Sequence, residues 1–97
     1  MSLIIYIDRS HNATHNLMPM WSKAGCYSAL YESHGKPAKE ILSPLIQGLT
    51  DMLKNSEEYR KLEPSNGWGD YDGAISFLVQ VIKDCASNPD TNIEVSS

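Results

Sequence analysis

The sequence predicts an α+β fold: three main helices packed on a small sheet formed by the N- and C-terminal strands, with residues 1–97 as a single compact domain. Three observations predict it. Leu3-Ile4-Ile5-Tyr6-Ile7 is β-branched and aromatic and reads as a strand. Three central stretches repeat apolar residues at spacings of three and four, the period of a helix with one buried face. Near the other end, Ile93-Glu94-Val95-Ser96 alternates as a short half-buried strand. A chain of 97 residues is expected to form one domain with a modest core. Two short strands at opposite ends bury themselves only by pairing and packing on helices, so Leu3–Ile7 and Ile93–Ser96 are expected to pair.

Leu3–Ile7 has almost no polar alternation, which predicts cover on both faces or an interface. Asp8 to Asn16 follows as a polar loop, with Asn12, Thr14 and Asn16 as candidate helix caps. Met20, Ala24, Tyr27 and Tyr31, widened by Trp21 and Leu30, predict a helix over 17–32. Pro19 fits only its first turn, and Gly25 weakens its middle. After the connector His34–Pro37, Ile41, Leu45, Leu49 and Met52 mark a second helix opened by Pro37 and disturbed by Pro44. Asn55 or Ser56 caps a short further turn, with Glu57 and Glu58 set against its dipole. The last helix is the clearest: Tyr71, Ile75, Leu78, Ile82 and Cys85 form its stripe, and Asn88-Pro89 stops it.

Composition narrows the function. The net charge of −4 and the absence of a basic cluster argue against a nucleic-acid polymer or an anionic membrane as partner. Leu3–Ile7 is too short to span a bilayer or to form a signal-peptide core, so the expected location is cytoplasmic. Cys26 and Cys85 lie in no C-x-x-C pattern and are expected to be reduced and buried. His11 and His15, near Asp8, would share a face if helical, but the glutamate of H-E-x-x-H is missing, and no metal or cofactor is assigned. No G-x-S-x-G, P-loop or dinucleotide glycine pattern occurs, so the chain is not assigned as an enzyme.

Asn66-Gly67-Trp68-Gly69-Asp70-Tyr71 is the most specific stretch. Its glycines permit a tight turn, and Asp70 is placed to cap the last helix. Trp68 is then presented at a helix mouth, either as a binding aromatic or, more commonly, as a plug of the core. Flat rings and amides recur at two helix starts. The candidate ligand-binding residues are His11, Thr14, His15, Asn16, Trp21, Asn66, Trp68 and Tyr71, with Asn12 adding a further amide. Rings stack on planar ligands, Asn pairs with an adenine-like edge, and helix N-termini accept phosphate; a nucleotide-like ligand needs all three. The bland alternative is that these residues bond one another and lock the two loops.

Thr14-His15-Asn16, Met20, Ala24-Gly25-Cys26-Tyr27, Asn66-Gly67-Trp68-Gly69-Asp70-Tyr71, Cys85, Asn88-Pro89 and Ile93-Glu94-Val95-Ser96 resemble a family of small uncharacterised bacterial and bacteriophage proteins. Its members carry T-H-N near the start, A-G-x-Y in the first helix and N-G-W-G-x-Y before the last. This chain departs at Tyr31-Glu32, where members often have Trp-Arg, and at Ser97, where they often end in arginine. The resemblance implies that the T-H-N and N-G-W-G stretches belong together; it carries no activity. By analogy of context, bacteriophage proteins of this size include inhibitors of host defence, some of which sequester nucleotide-derived signals without chemistry. The expectation is a non-catalytic ligand-binding protein with a pocket lined by His15, Trp21, Asn66 and Trp68, acting in the host cytoplasm if phage-encoded. The alternatives are an interaction module that inhibits a host protein, and a small enzyme. A homodimer is expected, because a small sheet leaves edges that need cover.

Overall fold

The computed structural model describes residues 2–97. Strand β1 (Ser2–Tyr6) is the centre of a three-stranded antiparallel sheet ordered β2-β1-β3, with β2 (Ser10–Thr14) and β3 (Glu94–Ser96) beside it. The N- and C-terminal strands pair as the sequence predicts, with Ile5 opposite Val95 and Tyr6 opposite Glu94. The helices are α1 (Met18–Ala24), α2 (Tyr27–Tyr31), α3 (Lys39–Lys54), α4 (Ser56–Arg60) and α5 (Tyr71–Ser87). Three of them, α1, α3 and α5, supply the bulk of the layer packed on the sheet. The shortest dimension is 18 Å, which holds one sheet and one helical layer.

Strand β2 is not predicted by composition. Ser10-His11-Asn12-Ala13-Thr14 is polar, yet it lies in register on β1, with Ile5 opposite His11 and Leu3 opposite Ala13. Pleating turns His11 and Ala13 toward the helices and leaves Asn12 outward. The same alternation rules out cover on both faces of β1 within this chain, the first of the two alternatives expected for it. Leu3, Ile5 and Ile7 are buried, while Ile4 is half-buried and Tyr6 exposed, so only one face of the strand is covered. The edge of β3 is also covered. Val95 N donates to His34 Nδ1 (3.0 Å), Gly35 N donates to Ile93 O (2.8 Å), and Ile93 N donates to Lys36 O (2.8 Å). The connector after α2 thus lies along β3, and β2 is left as the open edge.

The helix expected over 17–32 is two helices. Gly25, at φ 77°, ends α1 in a left-handed conformation, and the chain restarts at Tyr27. A 3₁₀ turn (His15–Leu17) precedes α1; Thr14 caps it by accepting from Asn16 N at 3.2 Å, and Pro19 sits in the first turn of α1. In α3, Ile41, Leu45, Gly48 and Met52 face the core, and Pro44 is accommodated without ending the helix. The buried stripe of α5 is rotated slightly from expectation: Ala74, Phe77, Leu78, Val81 and Cys85 are inside, while Ile75 and Ile82 are partly exposed. Asp70 caps α5 as predicted, its carboxylate accepting from Gly73 N at 2.7 Å, and Asn88 ends it. Tyr59 of α4 is buried and donates its hydroxyl to Asp51 of α3.

Candidate functional site

An open depression of about 580 Å³ lies beside β2, lined by Ser2, Asn12, Ala13, Thr14, Asn16, Asn66 and Trp68. Its floor follows from the sheet. Ser2 and Thr14 face each other across β1 and β2, and Asn12 follows two residues along on the same face. Asn16 is held at the strand end by its amide, which donates to Thr14 Oγ1 at 3.2 Å. The wall is the glycine turn. Asn66 Oδ1 accepts from Trp68 N at 2.9 Å, and Gly67 and Gly69 take φ of 76° and 109°. Gly69 seats this wall on the floor: a Cβ there would lie 2.8 Å from Thr14 Cγ2 and 3.1 Å from Leu17 Cδ2. The T-H-N and N-G-W-G stretches therefore meet through the one residue whose lack of a side chain lets them touch.

Trp68 is 68% exposed, so it is not the plug of the core. That role belongs to Trp21, which is fully buried with its ring 5.7 Å from that of Phe77. Of the predicted site residues, Thr14, Asn16, Asn66 and Trp68 come together. Four others are corrected in place. Trp21 is sealed from any ligand. Tyr71 is buried and spends its hydroxyl on Met52 O at 2.7 Å, with the Arg60 guanidinium 4.5 Å above its ring. His15 turns away from the depression, hydrogen-bonding Tyr31 Oη through Nδ1 at 2.9 Å in a stack with Tyr31 and Tyr27. Burial and the neighbouring Tyr27 push the Tyr31 hydroxyl above its ordinary pKa of 10.0, so it stays protonated at neutral pH.

His11 is the fourth. Strand alternation sends it inward, where Nε2 meets Asp84 Oδ2 at 2.7 Å, with side chains 6% and 3% exposed. Asp84 also accepts from the backbone N–H groups of Asp8 (3.2 Å) and Arg9 (3.3 Å) and from Asn88 Nδ2 (2.9 Å). Burial alone would raise its carboxyl; the bonds from His11, Arg9, Asp8 and Asn88 outweigh that and hold it below its ordinary value of 3.8. This pair is a clamp between the β1–β2 hairpin and α5, and both carboxylate oxygens of Asp84 are engaged. Asp8, His11 and His15 do not converge, and no group of three metal-ligating side chains occurs among the described residues.

The depression is neutral. None of its lining residues is charged. The start of α5, expected to offer N–H groups to phosphate, has given two of them to its own chain: Tyr71 N donates to Glu63 Oε2 at 2.7 Å and Gly73 N to Asp70 Oδ1 at 2.7 Å. Arg60 is paired with Asp72 at 3.3 Å. Two lining residues, Ser2 and Ala13, escaped the prediction. Ser2 gives no sequence signal, being a small residue ahead of an apolar run. Asn12 is visible as an amide, but its position on the floor depends on β2. Among the described residues it makes no side-chain hydrogen bond, which leaves its whole amide edge open.

Fold and site together define a small α+β domain carrying an exposed tryptophan over an amide-lined depression. No helix among the described residues is long and apolar enough to cross a membrane. None of the protein-family models, curated proteins or solved structures compared with the chain matches it.

Proposed function

We propose that this protein is a non-catalytic binding protein that captures a planar, nucleotide-like small molecule in the depression under Trp68. The observation that carries the reading is the exposure of Trp68 on a turn fixed by Asn66 and seated through Gly69 on Thr14. An exposed indole on a fixed turn offers its face without reordering of the backbone, and base stacking on such a ring contributes about 1–3 kcal/mol. The amides of Asn12, Asn16 and Asn66 supply the polar groups that orient a planar ligand. Nothing in the lining has the proton-transfer chemistry of an acid–base site, which favours capture over turnover. The reading includes sequestration of a host-defence signal as one use of such capture. A thermal-shift panel of nucleobases, nucleosides, nucleotides and cyclic nucleotides tests it: at least one class should raise the melting temperature in a concentration-dependent way. A panel without any shift removes the reading.

A second reading, a protein-docking module or homodimer, is favoured by the outer sheet face. There Tyr6 is 46% exposed beside Ile4, in a shallow surface of about 380 Å³ shared with His34, Glu94, Val95 and Ser96. Light scattering that gives a single-chain mass at working concentration would count against the homodimer.

A further inference from the structure

We infer that the depression reads the edge of a nucleobase and does not bind its phosphate, so that its ligand class is a neutral base or nucleoside with an adenine-like edge. This rests on the proposed binding at Trp68 and narrows it. Three observations carry the narrowing. Asn12 stands on the floor with both amide atoms uncommitted, while Asn16 donates to Thr14 and Asn66 accepts from Trp68 N. An asparagine amide offers one donor and one acceptor side by side, and that pattern matches the amino group and ring nitrogen on one edge of adenine. The described lining carries no cation to pair a phosphate, in a chain of net charge −4. The start of α5, the nearby element suited by polarity to an anion, is already occupied by Glu63 and Asp70. A phosphate would therefore meet only neutral amide and hydroxyl donors in the described lining, with no cation to balance its charge, on a chain whose net charge repels anions. Phosphorylated signals are the poorer class of ligand for this site.

The experiment is a titration of the full chain with adenosine, adenosine monophosphate and purine riboside, which lacks the exocyclic amine, read by quenching of tryptophan emission. Trp21 is buried, so quenching reports Trp68. Adenosine should bind about threefold or more tighter than the monophosphate at low ionic strength, with the gap closing as salt is added. Purine riboside should bind about fivefold weaker than adenosine, the loss of one neutral hydrogen bond. Asn12→Ala, an exposed substitution that should leave folding intact, should erase that difference. Tighter binding of the monophosphate, or competition by inorganic phosphate, overturns the inference and leaves the binding reading in place. An unchanged gap between adenosine and purine riboside in Asn12→Ala overturns the assignment of Asn12. If none of the three compounds quenches while another member of the wider panel shifts the melting temperature, this inference falls and the binding reading stands; silence across the whole panel removes both.

Discussion

Replacing Asp84 with alanine should be among the most destabilising single changes in the molecule. The carboxylate is nearly inaccessible and holds four donors: His11 Nε2 at 2.7 Å, Asn88 Nδ2 at 2.9 Å, Asp8 N at 3.2 Å and Arg9 N at 3.3 Å. Removing this buried carboxylate leaves its donors without partners, at about 1–3 kcal/mol for each one that stays buried, which sums to roughly 3 kcal/mol or more. A domain of this size has a total stability of roughly 5–15 kcal/mol. At about 4–8 °C per kcal/mol, the melting temperature should fall by more than about 12 °C at neutral pH. The effect should depend on pH with a definite sign. The Asp84 carboxyl is held below its unfolded value of 3.8 in the folded chain, so its contribution is present above that value and is lost as pH falls through the lower folded one. Melting curves of wild type and Asp84→Ala, recorded at neutral pH and at successively lower pH, should therefore converge in the acid range. A drop of only a few degrees at neutral pH, or a gap that stays constant into acid, would refute the clamp between hairpin and α5.

Two further outcomes follow from the core and the turn. Gly69→Ala should cost about 1–3 kcal/mol, since its Cβ would crowd Thr14 and Leu17 at a φ of 109°, and a melting shift below about 2 °C would deny that the two loops meet there. Burial pushes the thiols of Cys26 and Cys85 up to about 11, so they should resist a thiol reagent in the native chain and react promptly once it is denatured; fast native labelling would contradict the packing.

The elements legible in the sequence were those with two agreeing signals. Helix α5 combined an apolar period with a cap at Asp70 and a stop at Asn88-Pro89, and its bounds follow. The pairing of β1 with β3 could be read because an apolar strand had one plausible partner. Strand β2 was not legible, since its residues have weak strand preference and are held by register on β1. That omission propagated. Without the strand, His11 could be placed near the ligand residues, whereas pleating buries it against Asp84. Gly25 was visible as a weak point, but periodicity continued across it from Ala24 to Tyr27 and concealed the break. The two tryptophans show the limit most clearly. Residue type gives both the capacity to stack or to plug, and only tertiary packing puts Trp21 inside and Trp68 outside. In the candidate site, Thr14, Asn16, Asn66 and Trp68 could be named from motif and spacing; Ser2 could not, because its place follows from the register of β1 on β2.

The most direct test of the central claim, that Trp68 is a binding aromatic and not part of the core, is the melting of Trp68→Ala with and without adenosine. At 68% exposure the side chain contributes little to the fold, so the variant alone should melt close to wild type, within about 0.5 kcal/mol in stability. Adenosine should raise the melting temperature of wild type, and the loss of about 1–3 kcal/mol of stacking should abolish most of that rise in the variant. A variant that melts far below wild type without ligand, with a loss nearer the roughly 3–5 kcal/mol of an emptied core site, would contradict the account, as would an adenosine shift equal in both proteins.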